Sequence, residues 1–290
     1  MNTQNLKHLK EVLSIPTKTW EEELMIEYLS TYCEEKGLDY SIDDNGSVYV
    51  TKGETDVYPC VVAHIDTVHE PVEMVVNEEK LPNAQGELKL SLKAYEKEGG
   101  NPTGIGGDDK AGVFICLKML EHFDNIKAFF PVAEETGCHG SNDADKDFFK
   151  DVGYAIQFDS TENDTMSLTL MGVKLFEEES VFFNSVKDII LEHGLKNWHN
   201  HPYTDTMKLK EKFDFPCLNF AAGYYNYHTK DEYVVVDDVQ NTCNMAVKVI
   251  ESLGQKKYTY INKKELLNEF SWEPEFQYGY DDEDLDDWDY

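Results

Sequence analysis

Tyr58-Pro59-Cys60-Val61-Val62-Ala63-His64-Ile65-Asp66-Thr67 sets a short apolar run directly before a histidine and an aspartate. A run of this length and composition reads as a strand buried on both faces, the kind found inside a parallel sheet. His64 and Asp66 are two residues apart, so in an extended segment both side chains emerge on the same side. Open α/β sheets bind their ligands beyond the carboxyl ends of their strands. This stretch therefore predicts both a sheet type and the edge of it where chemistry belongs.

The same pattern recurs along the chain. Residues 126–132 form an apolar strand followed by Glu134 and Glu135, and residues 154–158 form another followed by Asp159. Two adjacent carboxylates beside a core are costly unless a cation is near. Between these strands, residues 108–123 have helical spacing, with Val113, Leu117 and Leu120 on one face, entered through Gly104-Ile105-Gly106-Gly107. Upstream, residues 6–13 read as a helix. Thr19 and Glu22 form a capping-box pattern opening a second helix that ends at Gly37. Asn45-Gly46 joins strands at 40–43 and 47–51 as a hairpin. Residues 78–106 read as a polar, glycine-containing excursion. Downstream, strands are expected at 165–170, 215–221 and 233–236, with a helix at 176–193 stopped by Gly194 and another capped by Asp237 and reaching Gly254. Strands alternating with helices predict an α/β fold, a mixed, largely parallel sheet sandwiched by helices.

The chain has 290 residues, 41% of them hydrophobic, enough to bury a real core. Its formal net charge of −31 repels phosphate backbones and anionic lipid, so neither nucleic acid nor membrane is an expected partner. Six cysteines are scattered without a C-x-x-C pair, and Cys60, Cys116 and Cys217 sit in apolar runs, as reduced core thiols do. No apolar leader and no stretch of membrane-spanning length is evident, so the expectation is a soluble, cytoplasmic protein. Residues 1–256 read as the catalytic domain and 257–290 as an aromatic and acidic tail. Positions 281–290 hold seven acids, the mark of a solvated segment, or of one that contacts a basic partner through Trp288 and Tyr290.

Segments around His64, Asp108, Glu134, Asp159 and His228 each place a histidine or carboxylate beside an apolar run. Two imidazoles and three carboxylates suit a pair of Zn²⁺ ions, leaving two carboxylates for chemistry. Asp66 can hydrogen-bond the imidazole of a metal-bound His64 and fix its tautomer. Asp108 opens a helix and can bridge two metals through its two oxygens, with Asp109 as the alternative bridge. Taken singly, each segment has a plainer reading: a structural histidine, a helix cap, a turn residue. Their number and order carry the metal reading.

That order, His64-Ile65-Asp66, then Gly106-Gly107-Asp108-Asp109-Lys110-Ala111-Gly112, then Glu134-Glu135-Thr136-Gly137, Asp159 and His228, resembles peptidase T and the related di-zinc exopeptidases, which include aminopeptidases, carboxypeptidases and deacylases. Glu232 and Asp237-Asp238 resemble the ending of the same pattern. The resemblance implies that His64 and Asp159 hold one metal, Glu135 and His228 the other, and Asp108 bridges them. It further implies Glu134 as general base and Asp66 as the residue orienting His64. Zn²⁺ is the expected metal, with Co²⁺ or Mn²⁺ also compatible. Peptidase T inserts a lid domain after the position of Asp159. Only 68 residues lie between Asp159 and His228, too few for one, so a zinc-exopeptidase-like catalytic domain without an inserted lid is expected. Arginine is absent from the whole chain, which disfavours a clamp for a C-terminal carboxylate. The expected activity is that of an aminopeptidase on small peptide substrates. The alternatives are an amidase or deacylase with the same centre, and a non-catalytic binding module.

Overall fold

The computed structural model describes residues 1–201 and 203–260. Helices α1 (Thr3–Leu13) and α2 (Glu23–Lys36) precede a hairpin of β1 (Asp39–Ile42) and β2 (Val48–Lys52), then β3 (Tyr58–Val62). A second hairpin, β4 (Met74–Pro82) and β5 (Leu88–Glu96), is followed by β6 (Pro102–Thr103), α3 (Gly107–His122) and β7 (Ile126–Phe130). Two single-turn helices, α4 (His139–Asn142) and α5 (Lys146–Phe149), lead to β8 (Val152–Ser160), β9 (Thr165–Leu170) and β10 (Val173–Lys174). Next come α6 (Val181–Asn184), α7 (Lys187–Glu192), β11 (Asn197–His201), α8 (Asp205–Lys212) and β12 (Cys217–Ala221). β13 (Tyr224–Tyr225), β14 (Tyr233–Val235) and α9 (Val236–Leu253) complete the described elements.

The main sheet runs β1-β2-β7-β3-β8-β12-β9-β10, with β11 added on β9. Its centre, β7-β3-β8-β12, is parallel, and antiparallel strands flank it on both sides. Every residue of β3, β7, β8 and β12 is buried, which requires cover on both faces of the sheet. α3 is part of that cover, packed on β3, β7 and β8 between α1 and α9. It is buried nearly all round, whereas its spacing predicted one apolar face. The largely parallel sheet with helical cover matches expectation. All six cysteines are free and buried, and no described helix is long and apolar enough to cross a membrane. The segment between Asp159 and His228 builds β9 to β13 and α6 to α8 within one compact unit, so no separate lid is inserted among the described residues.

Several local expectations are corrected. Residues 78–106 are no excursion: β4, β5 and β6 join β13 and β14 in a second, five-stranded antiparallel sheet. Leu92 and Ala94 point into the core while Lys89 and Lys93, on the other face, are only partly buried, so the strand has a polar face that masks it in sequence. Thr19 caps nothing; its hydroxyl donates to Asp66 Oδ2 at 2.8 Å, and α2 starts without a side-chain cap. The helix expected at 176–193 starts only at Val181, where Ser180 caps it by accepting from Phe183 N, and it is interrupted at Ser185-Val186 into α6 and α7. α9 begins at Val236, so Asp237 lies in its first turn rather than capping it. His199 and His201 belong to β11, which pairs with β9. Residues 257–260 reach the body, where Tyr258 packs on Tyr154 and Phe182 and Lys210 donates to the Tyr260 carbonyl. The rest of the expected acidic tail lies outside the described residues.

Candidate metal centre

Strand register brings the first pair of groups together. Val62 of β3 lies opposite Gln157 of β8, so His64 and Asp159, each two residues on, leave the same edge at the same level. Val62 also pairs with Phe129 of β7, whose chain turns at Ala133 (φ 51°) and delivers Glu134 and Glu135. Asp108 enters from the start of α3, and the Asp108–Asp109 peptide bond is cis. His228 comes from the turn between β13 and β14, in the second sheet. Four of these segments, joined by Tyr203, line a cavity of about 230 Å³ formed by Asp108, Glu134, Glu135, Asp159, Tyr203, Tyr227 and His228, while His64 lies buried behind Asp108 and Asp159. A larger crevice of about 430 Å³ beside α1 and α2 contains none of these groups.

Asp108 sits between the two imidazoles. Its Oδ1 is 3.1 Å from His64 Nε2 and its Oδ2 is 3.3 Å from His228 Nε2. His64 Nε2 also lies 3.7 Å from Asp159 Oδ1, and His228 Nε2 lies 3.0 Å from Glu135 Oε1. Two triads result, His64-Asp108-Asp159 and Asp108-Glu135-His228, each with ligand atoms within 4.8 Å of one another. A third group, His64-Glu134-Glu135, brings Glu134 into the same cluster. Asp109 is not brought in: its Oδ1 accepts from Gly112 N within α3, and its carboxylate is fully buried away from the imidazoles.

A supporting layer holds these side chains. His64 Nδ1 faces both the Asp66 carbonyl at 3.1 Å and the Asp66 carboxylate at 3.3 Å. That carboxylate has further partners that sequence did not reveal, accepting from Glu134 N at 2.9 Å, Glu135 N at 3.2 Å and Thr19. Asp159 is held by Tyr224 OH at 3.2 Å and Gln157 Nε2 at 3.4 Å, while its own N–H donates to Asn219 Oδ1 at 2.9 Å. Gln157 also donates to Asp205 Oδ2, a buried acceptor at the start of α8. The Cys138 thiol donates to Glu134 Oε1 at 3.5 Å. Of these, only Asp66 was legible, because Tyr224, Gln157, Asn219 and Cys138 lie within ordinary apolar or turn sequence.

Acidic groups outnumber basic ones at this cluster. Five carboxylates, Asp66, Asp108, Glu134, Glu135 and Asp159, converge on two imidazoles. Burial pushes Glu134 and Asp159 well above the ordinary carboxylate range, and Glu135 above it. Hydrogen bonds to Asp108 and Glu135 push His228 up to about 10. Burial pulls His64 down, but hydrogen bonds to Asp108, Asp159 and Asp66 outweigh it and hold the imidazole well above its usual value. Burial acts on Asp108 in the opposite sense, and the two histidines outweigh it and hold the carboxyl low. The one nearby lysine is turned away, since Lys110 Nζ donates to the carbonyls of Leu13 and Ile15. Carboxylate and imidazole donors gathered in this way suit a divalent cation.

No protein-family model matches the chain, and no curated protein does. Solved structures do. Aminopeptidase PepT from Bacillus cereus aligns at 14% identity with a TM-score of 0.71, over 87% of this chain and 99% of that one. A tripeptidase from Staphylococcus aureus aligns at 13% identity and a TM-score of 0.69, over 87% and 99%. An aminopeptidase from the archaeon Desulfurococcus kamchatkensis aligns at 14% and 0.60, over 89% and 99%. The chain thus has the α/β fold of these peptidases, with strand-end carboxylates and histidines gathered at one edge of its main sheet.

Proposed function

We propose that this chain is a metal-dependent exopeptidase, an aminopeptidase acting on short peptides. The observation that carries the reading is Asp108, with one carboxylate oxygen against each of two imidazoles that have their own acidic partners, Asp159 and Glu135. His64, Asp108 and Asp159 would hold one cation and Asp108, Glu135 and His228 the other. Divalent cations supply Lewis-acid activation of water and of the scissile carbonyl. Zn²⁺ fits the donor set, and Co²⁺ and Mn²⁺ accept the same ligands.

Glu134 is the general base. It is buried at the cavity and clusters with His64 and Glu135, where a carboxylate can reach a water held between the proposed ligands. It accepts the proton of the attacking water and hands it to the leaving amine as the C–N bond breaks. Asp66 fixes this arrangement twice over, by facing His64 and by holding the amides of Glu134 and Glu135.

The cavity lining includes no lysine and the chain has no arginine, so no basic side chain of either type stands there to clamp a peptide's C-terminal carboxylate, which favours reading of the amino terminus. Tyr203 and Tyr227 provide the apolar surface against which a terminal side chain can rest.

The test is metal analysis and peptide hydrolysis on wild type and Glu134→Ala in parallel, with free-amine and N-acylated substrates. About two cations per chain are expected in both proteins, with hydrolysis of free-amine peptides in wild type alone. A variant as active as wild type removes Glu134 as base. Preference for N-acylated substrates favours a deacylase, and absence of metal from wild type ends the proposal.

A further inference from the structure

Glu232 and His69 lie outside the clustered groups, yet they join three of the segments that carry them. Glu232 is fully buried, in the turn four residues beyond His228. Its Oε1 accepts from Asp108 N at 3.0 Å, and its Oε2 accepts from Gly106 N at 2.9 Å and lies 2.8 Å from His69 Nε2. His69 belongs to the loop after β3 that also carries His64 and Asp66. One side-chain pair therefore ties the His64 loop, the Asp108 turn and the His228 turn together.

The glycines of Gly104-Ile105-Gly106-Gly107 are shaped around this pair. A Cβ on Gly104 would fall 2.1 Å from the His69 ring. On Gly107 it would lie 2.7 Å from Tyr224 Cβ and Val234 Cγ2, and 3.2 Å from Glu232 Oε1. Gly106 has φ +64°, and its Cβ would press on Lys110 and Thr67 at 2.7 Å. Asp108 and Asp109 have non-helical φ/ψ, and the regular helix after them is capped by Asp109, whose Oδ1 accepts from Gly112 N. Glu232 instead supplies acceptors to Gly106 N and Asp108 N in the irregular turn that precedes it, two amides that no helical carbonyl serves.

We infer that the His69–Glu232 pair is a positioning device that fixes Asp108 between the two imidazoles and so governs whether the centre holds both cations at once. This rests on the functional reading above. Glu232 touches no proposed ligand side chain; it acts through the backbone N–H of Asp108. Amide capping alone would need only the carboxylate. The histidine on Oε2, with a glycine cleared to make room for its ring, selects one orientation of that carboxylate and links it to the loop bearing His64. Loss of either partner lets the Asp108 turn shift relative to one imidazole or the other. The cation bound more weakly is released first, and the shared carboxylate no longer couples the two.

The experiment uses the full chain with Glu232→Gln, His69→Leu and His69→Gln. Each protein is stripped, then titrated with Zn²⁺ against a competing chelator and separately loaded with Mn²⁺ for electron paramagnetic resonance. Metal-free thermal melts are recorded in parallel. Wild type is expected to bind two ions and to show an exchange-coupled Mn²⁺ pair. Glu232→Gln and His69→Leu should weaken one ion by about 10–100-fold, as loss of an outer hydrogen-bond partner does, and lose the coupled signal. His69→Gln, which keeps a donor for Glu232, should recover much of both. Two ions at wild-type affinity with an unchanged signal in Glu232→Gln and His69→Leu overturn the inference alone. A uniform loss of both ions with a lowered metal-free melt, unrescued by His69→Gln, also overturns it, because that is general destabilisation. If Glu232→Gln does not fold, the two His69 variants decide. Wild type without metal overturns this inference and the functional reading together.

Discussion

Asp66→Asn separates two jobs that one carboxylate performs. Four donors converge on the two oxygens of Asp66: Glu134 N and His64 Nδ1 on Oδ1, Glu135 N and Thr19 Oγ1 on Oδ2. Asparagine keeps one oxygen, best used for the two donors on Oδ1. Its amide nitrogen then faces the N–H of Glu135, donor against donor, while the Thr19 hydroxyl can rotate to accept. One backbone donor loses its partner, at a cost of about 1–3 kcal/mol. For a domain of this size that lowers the melting temperature by roughly 2–12 °C. The imidazole fares better, because His64 Nδ1 still has the Asp66 carbonyl at 3.1 Å. Metal affinity at the His64 triad should therefore fall by no more than about 10–100-fold, the usual effect of an outer-partner change. Thr19→Val, which removes only the rotatable donor, should cost less than about 1 kcal/mol. Thermal melts of the metal-free proteins and chelator competition of the loaded ones measure the two effects apart. A metal-free Asp66→Asn that melts within about 1 °C of wild type would refute the amide-clamp reasoning, whatever happens to the metal.

Gly112→Ala pits two effects of opposite sign. Alanine favours a helix interior by about 1 kcal/mol, but its Cβ would lie 2.2 Å from Asp109 Oδ1, a buried carboxylate. Overpacking of about 1–3 kcal/mol should win, so urea melts should show a less stable protein, and a more stable one contradicts the packing described. His8 gives a pH test away from the cavity. Burial, aided by Lys118, holds its pKa below 6.5, so the unfolded chain binds more protons below that pH and stability falls as pH drops through this window. Denaturant midpoints between pH 7.5 and 5.5 should fall more steeply for wild type than for His8→Asn; parallel curves would remove His8 as a cause. Stripping metal with a chelator should lower the melting temperature, since free metal at about 100 times its dissociation constant adds about 2.7 kcal/mol. Identical melts before and after stripping would mean that no cation is held by the folded state.

The strands beside the site were readable because their burial is complete. β3, β7 and β8 are buried, mostly apolar runs, and His64, Glu134, Glu135 and Asp159 lie at or just beyond their carboxyl ends. β5 was not readable as part of a sheet, because Lys89 and Lys93 on its outer face give the segment a loop-like composition until the pairing partner β4 is known. Thr19 and Asp237 both sit in sequences that resemble helix caps. Thr19 serves Asp66 instead, and Asp237 lies one residue inside a helix whose start is set by β14. Short-range pattern predicts what a backbone would do alone, and tertiary contacts outbid it at these two positions.

The sequence by itself determined that carboxylates and histidines of metal-ligand type end successive buried strands, since alternation and apolar runs are local properties of the chain. It also determined that no arginine stands among them. Only the tertiary structure decided that Asp108, not Asp109, faces both imidazoles, that Asp66 grips the amides of Glu134 and Glu135, and that His69 and Glu232 hold the turn between them. The direction of a carboxylate depends on which donors reach it from distant parts of the chain, and those distances exist only once the sheets have packed.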